Sequence, residues 1–148
     1  MISGVKIINN ESIIDERGKI ILLTNHKNKF FNKFGEIYCS EIKPGFVKAW
    51  RKHKLYNCIF TLIKGKIKMV ICKFDKKKNT YKFNEILLSE EKNLIVTVKN
   101  NIWYGFKCIG ENKSIITNII SGQYEEGEIE RLNVKNNYFQ YDWSIKNR

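Results

Sequence analysis

Apolar and polar residues alternate at every second position through most of the chain, the period of a β-strand with one buried face. The plainest case is "IFTLIKGKIKMVI" at 59 to 71, which puts Lys66 and Lys68 on one face and Ile67 and Met69 on the other. It reads as two strands joined by a tight turn at Lys64-Gly65-Lys66. Ten strands are predicted: "GVKII" at 4 to 8, "KIILLT" at 19 to 24, "EIYCSEI" at 36 to 42, "FVKAW" at 46 to 50 and "NCIFTLI" at 57 to 63, then "KIKMVICKF" at 66 to 74, "TYKFNEILL" at 80 to 88, "LIVTV" at 94 to 98, "WYGFKCI" at 103 to 109 and "SIITNIIS" at 114 to 121. Polar and glycine-bearing turns such as "ERG", "KPG", "KKKN" and "IGENK" separate them. Only "NHKNKFFNKFG", residues 25 to 35, has room for a helical turn or two. Many short strands at regular spacing predict an all-β sandwich or barrel.

The 148 residues suit one domain spanning 1–148, long enough to bury a core. With 43% hydrophobic and 13% aromatic residues, the composition excludes a disordered chain. No apolar run approaches the roughly 18 residues that span a bilayer, and the amino terminus does not read as a signal peptide. No membrane association and a cytoplasmic location are therefore expected. The cysteines, Cys39, Cys58, Cys72 and Cys108, form no CxxC pair and read as buried, reduced thiols.

The formal charge of +12 raises nucleic-acid binding as a function. Lysines are spread over nearly every loop, however, and no RNP signature, helix-turn-helix pattern or zinc finger is visible. A solvated basic surface that attracts a small polyanion, and no nucleic acid, is the expectation.

Candidate chemistry gathers in "PGFVKAWRKHK", residues 44 to 54, which holds the chain's only proline and one of its two histidines. On an extended strand residues 49, 51 and 53 share a face, so Arg51 and His53 look into a barrel if Ala49 does. Lys48 then lies opposite unless a bulge intervenes. An arginine fork suits a phosphate or a keto oxygen, and an imidazole titrates near neutrality. Tyr104 or Tyr56 can supply a phenolic acid. His26, amid "NHKNK", reads as a solvated loop residue. Trp50, Trp103 and Trp143 read as core or subunit contacts, with base stacking as the functional rival.

The same stretch resembles the first motif of the cupins, small jelly-roll barrels: Gly45, five residues, Arg51-Lys52-His53, then Gly65. "IWYGF" resembles the second motif, with Tyr104 in the histidine place. Arginine at 51, no glutamate at 57 or 58 and tyrosine at 104 remove three of four metal ligands, so the resemblance implies a metal-free cupin. From about residue 12 to 143 the chain is similar to the dTDP-4-dehydrorhamnose 3,5-epimerase family. "DERGKI", "VKAWRKH", "GKIKMVICKFD", "IWYGF" and "QYEEGEIERLNVKNNYFQYDW" carry that resemblance, in the family's order.

The resemblance implies a cupin-type double-stranded β-helix and α-proton exchange beside a 4-keto group of a nucleoside-diphosphate sugar, without a cofactor. It places Arg17 in an element that reaches the neighbouring subunit's ligand, and it implies a homodimer exchanging an edge strand or amino-terminal arm. It sets Arg51 at the catalytic histidine, Asn136 at its aspartate, Thr117 near the acid tyrosine and Cys58 near the lysine. The expected site is therefore a shifted one: His53 and Tyr104 for proton transfer, with Arg17, Lys48 and Arg51 binding the substrate. The rival expectation is a non-catalytic nucleotide-sugar-binding or accessory cupin that keeps the pocket.

Overall fold

A computed structural model describes residues 1–10, 12–30 and 33–145. Its strands in chain order are β1 (Val5–Asn9), β2 (Ile13–Asp15), β3 (Gly18–Ile20), β4 (Glu36–Ile42), β5 (Val47–His53) and β6 (Cys58–Lys64), then β7 (Lys66–Asp75), β8 (Thr80–Ser89), β9 (Leu94–Val98), β10 (Trp103–Cys108), β11 (Ser114–Ile120) and β12 (Ile129–Arg131). A 3₁₀ turn, Val134–Asn136, follows. Two five-stranded sheets face each other, in the orders β1-β9-β6-β11-β4 and β12-β5-β10-β7-β8, and β2 and β3 form a separate hairpin. Every pairing between named strands is antiparallel, as in the expected jelly roll.

The alternation sorts side chains as the sequence predicts. Phe60 and Leu62 of β6, Ile67, Met69 and Ile71 of β7, and Ile116 of β11 meet between the sheets. Burying each such side chain contributes roughly 1.5–3 kcal/mol. The opposite face of β7 is covered as well. Val70 and Cys72 pack with Trp50 under the carboxyl-terminal segment, where Phe139, Tyr141 and Trp143 recur at every second residue. Lys68, 7% exposed, reaches the Ser144 carbonyl at 3.1 Å and lies 5.5 Å from the Tyr141 ring centre. Trp50 and Trp143 are thus joined in one aromatic cluster, with Trp103 at its margin.

Several boundaries differ from the expectation. The strand predicted to end at Trp50 runs on to His53, because β12 pairs with residues 51 to 53. The strand predicted at 19 to 24 stops at Ile20. Beyond it the chain leaves the hairpin, and Leu23 packs on Ile59, Ile95 and Ile119, the outer face of the first sheet. The segment at 25 to 35 makes turns and no helix over its described residues; 31 and 32 lie outside them. The strands β2 and β12 were not predicted, being only three residues each. Cys39 is exposed rather than buried, since it sits on the outward face of the edge strand β4 beside the exposed Ile37.

One irregularity positions the site. Tyr104 pairs with Arg51 and Phe106 with Lys48, so Ala49 and Trp50 together oppose Gly105. Such a bulge turns the strand between its two ends. Lys48 and Arg51 therefore face the same side, and Ala49 joins Trp50 in the outer aromatic cluster. Ala49 does not look into the barrel as a regular strand would require. Gly105 is demanded by this packing: a Cβ there would lie 2.4 Å from the Ala49 Cβ and 3.1 Å from the Trp143 ring.

Gly105→Ala is expected to cost about 1–3 kcal/mol, the usual range for overpacking, read as a lower urea midpoint. Separately, one thiol, Cys39, should react quickly with a disulfide reagent at pH 8, and the other three only after unfolding. Four fast thiols would contradict the packing described.

Candidate active site

The bulge, β10 and the inward face of the first sheet frame a narrow funnel that opens to solvent. Its polar wall carries Tyr38, Ser40, Lys48, Arg51, Tyr104 and Asn118, and Phe60, Phe106 and Ile116 give it an apolar floor. Its closed interior is tight, about 10 Å³, room for one water, so a larger group enters only at its mouth or as the lining side chains move apart. A second, open groove runs from Lys48 and Arg51 along the edge of β5 to Arg131 and Lys135. Among the described residues, none of these four cations has a carboxylate within ion-pair distance. Lys48 Nζ donates to Ser40 Oγ at 2.9 Å. Burial and the Arg51 charge both lower the Lys48 pKa, which marks a locally positive wall.

Behind Tyr104 lies a buried polar chain. His53 Nε2 is 3.2 Å from Tyr104 Oη, and His53 Nδ1 is 2.8 Å from Glu128 Oε2. The imidazole and the carboxylate side chains are each 3% exposed. Glu128 Oε1 also accepts the Leu55 and Tyr56 backbone N–H groups, at 3.3 and 3.4 Å. The local backbone explains this inward turn: Gly127 adopts φ +75°, and the Glu128 carbonyl accepts the Lys54 N–H at 3.1 Å. Left-handed backbone of this kind is glycine's ordinary role. Burial raises the Tyr104 hydroxyl well above its ordinary 10.0, with Cys58 adding in the same direction.

On the facing sheet, Asn118 Nδ2 donates to Tyr38 Oη at 3.0 Å, and its Oδ1 is buried with no hydrogen-bond partner. An orphaned amide oxygen in a pocket wall is costly unless a ligand or water serves it.

The sequence-predicted residues therefore divide. Arg51, Lys48 and Tyr104 line one pocket, and His53 sits behind Tyr104 rather than at the surface of the funnel. Arg17 is at the tip of the β2–β3 hairpin, 90% exposed and paired with Asp15 at 2.6 Å, and it does not line the funnel of its own chain. Tyr56 bonds Glu125 at the surface. Asn136 is exposed on the 3₁₀ turn, and Thr117 donates to the Thr61 carbonyl at 3.0 Å. Glu128 and Asn118 were missed. Glu128 hides in the acidic run "EEGE", which reads as surface, although the glycine before it marks the turn. Asn118 was legible as the one polar residue on the Ile116–Ile120 inward face.

Among the described residues no three His, Cys, Asp or Glu side chains converge as metal ligands do. No helix among them is long and apolar enough to cross a membrane.

No protein-family model matches the chain. A curated protein of Haloferax volcanii, the probable low-salt glycan biosynthesis epimerase Agl13, is 29% identical over 116 residues, covering 74% of this chain and 72% of that protein. A solved dTDP sugar isomerase of Desulfovibrio desulfuricans G20 superposes with a TM-score of 0.87 at 25% identity, over 95% of this chain and 91% of that one. The dTDP-6-deoxy-D-glucose-3,5-epimerase RmlC of Legionella pneumophila, solved with dTDP-4-keto-L-rhamnose, gives 0.82 at 15% identity, over 98% and 81%. This last likeness shows the fold. The chain resembles the dTDP-4-dehydrorhamnose 3,5-epimerases and related sugar isomerases along nearly its whole length, in an all-β, cupin-type barrel.

Burial raises Cys58 and Cys72 from 9.0 to about 12, and it raises Tyr104 too. The folded state holds these protons more tightly than the unfolded chain, so their contribution is complete below pH 9 and is lost as pH climbs toward 12. Urea midpoints should be level from pH 7 to 9 and fall steadily above it. An unchanged midpoint at pH 11 would show that these groups are not buried.

Proposed function

We propose that the chain is a nucleotide-sugar epimerase or ketoisomerase, acting by cofactor-free proton transfer on a 4-keto-6-deoxyhexose linked to a nucleoside diphosphate. The observation that carries this is the shared pocket: Arg51 and Tyr104 line one tight funnel, and Lys48 and Arg51 join it to the open cationic groove beside it. Removing a carbon-bound proton beside a carbonyl leaves negative charge on the carbonyl oxygen. A fixed cation in a partly dry pocket stabilises that charge far better than water does. Arg51 has that role, with Lys48 beside it. Tyr104 and His53 form the proton-transfer pair.

The diphosphate lies outside the funnel, over the groove where Lys48 and Arg51 meet Arg131 and Lys135. Four cations without carboxylate partners among the described residues suit a dianionic linker. The unpartnered Asn118 Oδ1 accepts from a sugar hydroxyl. Arg17 comes from a second copy of the chain: its hairpin exposes Ile13, Ile14 and Ile20 by 64% or more, an apolar surface that a homodimer would cover.

A specific observation supports the rival reading, a non-catalytic nucleotide-sugar-binding cupin. The positions where the resemblance expects a base, its orienting acid and a facing tyrosine hold Arg51, the exposed Asn136 and Thr117, which is tied to its own sheet. Solvent exchange separates the two. Incubated in heavy water with a thymidine-diphosphate-linked 4-keto-6-deoxyglucose, the protein should introduce deuterium at C3 or C5, and Arg51→Ala should lower that rate about 100-fold or more. Tight binding with no deuterium incorporation would establish the binder instead.

A further inference from the structure

The polar chain behind the pocket has a direction. An ionised carboxylate only accepts hydrogen bonds, and a neutral imidazole carries its proton on one nitrogen. Glu128, facing Nδ1 at 2.8 Å, therefore fixes that proton on Nδ1 and leaves Nε2 as the acceptor. The Tyr104 hydroxyl, 3.2 Å from Nε2 and also against the Cys58 thiol, then donates inward to the imidazole, and Tyr104 lines the pocket.

On the reading of the funnel as a proton-transfer site, we infer that Glu128 is a positioning residue that makes Tyr104, not His53, the group that takes the carbon-bound proton. The Tyr104 O–H proton passes to His53 Nε2, which becomes an imidazolium held against the Glu128 carboxylate. The substrate's C–H proton passes to Tyr104 Oη. The C–H electron pair becomes the new C=C bond, and the carbonyl π pair moves onto the oxygen facing Arg51. One negative charge appears on the substrate and one positive charge on His53; no oxidant or reductant is needed. The reverse transfers return a solvent-derived hydrogen to the same face of the carbon, which is the exchange read below; inversion takes a donor on the opposite face.

Burial makes the carboxylate necessary. An imidazolium formed at 3% exposure without a counter-charge is strongly disfavoured. The raised Tyr104 pKa fits the same sequence of events, since the phenol keeps its proton until His53 withdraws it. Other ionisable groups facing these residues are Arg51 of β5, Tyr38 of β4, Cys58 of β6 and, beside Glu128, Tyr56, so any pH profile carries their influence too.

Two measurements test this. Nitrogen-15 NMR of His53 in the wild-type protein should show the proton on Nδ1; a proton on Nε2 overturns the inference whatever the activity. Glu128→Gln should lower deuterium exchange about 100-fold or more, leave thymidine diphosphate affinity within about threefold and displace the pH–rate profile, and Glu128→Asp should recover part of the rate. If wild type exchanges and Glu128→Gln matches it with the same profile, the inference fails and the reading of the pocket stands. If wild type binds without exchanging, that reading fails and takes the inference with it.

Discussion

The site depends on two residues of one strand facing one residue of the next. Because Ala49 and Trp50 share Gly105 as their opposite, Lys48 and Arg51 emerge on the same side of β5. A regular strand would send one of them outward, and the pocket would lose half its positive wall. The same bulge delivers Trp50 to the outer cluster, where Phe139, Tyr141 and Trp143 pack over it. Aromatic burial on one face thus holds cation geometry on the other. This is why the closing segment of the chain matters to a pocket that it does not line, its Arg131 and Lys135 reaching only the adjoining groove.

The interior of the barrel is graded in polarity. The floor of the funnel is apolar, its wall is cationic, and behind that wall a carboxylate, an imidazole and a phenol are stacked out of water. The polar atoms of that chain are partnered to one another, whereas on the facing sheet Asn118 Oδ1 is buried without a hydrogen-bond partner. A neutral phenol near a fixed guanidinium suits chemistry in which charge is absent at rest and appears only during reaction.

Much of the fold was legible because a half-buried strand writes its two faces into alternate residues. "KIKMVICKF" shows this: Ile67, Met69 and Ile71 went to the core, and Lys68 to the other side. Three-residue strands such as Ile129–Arg131 leave too short a pattern to read. The site was legible only in part. Arg51, His53 and Tyr104 stood out by residue type and by resemblance to a cupin motif. The bulge did not, because nothing local to "FVKAWRKH" announces that Gly105, more than fifty residues on, will face two residues. Glu128 was obscured for a related reason, since an acidic run predicts a wet surface until a distant histidine is folded against it.

The most direct measurement is a crystal structure of the protein with a bound 4-keto nucleotide-sugar. The sugar ring is expected at the mouth of the funnel, with the lining side chains moved apart to admit it, its keto oxygen within hydrogen-bonding distance of Arg51, the carbon to be deprotonated facing Tyr104 Oη, and the diphosphate across Lys48, Arg131 and Lys135. A ligand seated elsewhere, for example in the lysine-lined groove around Lys64, Lys66 and Lys113 at the hairpin end of the barrel, with the funnel unfilled, would contradict this placement.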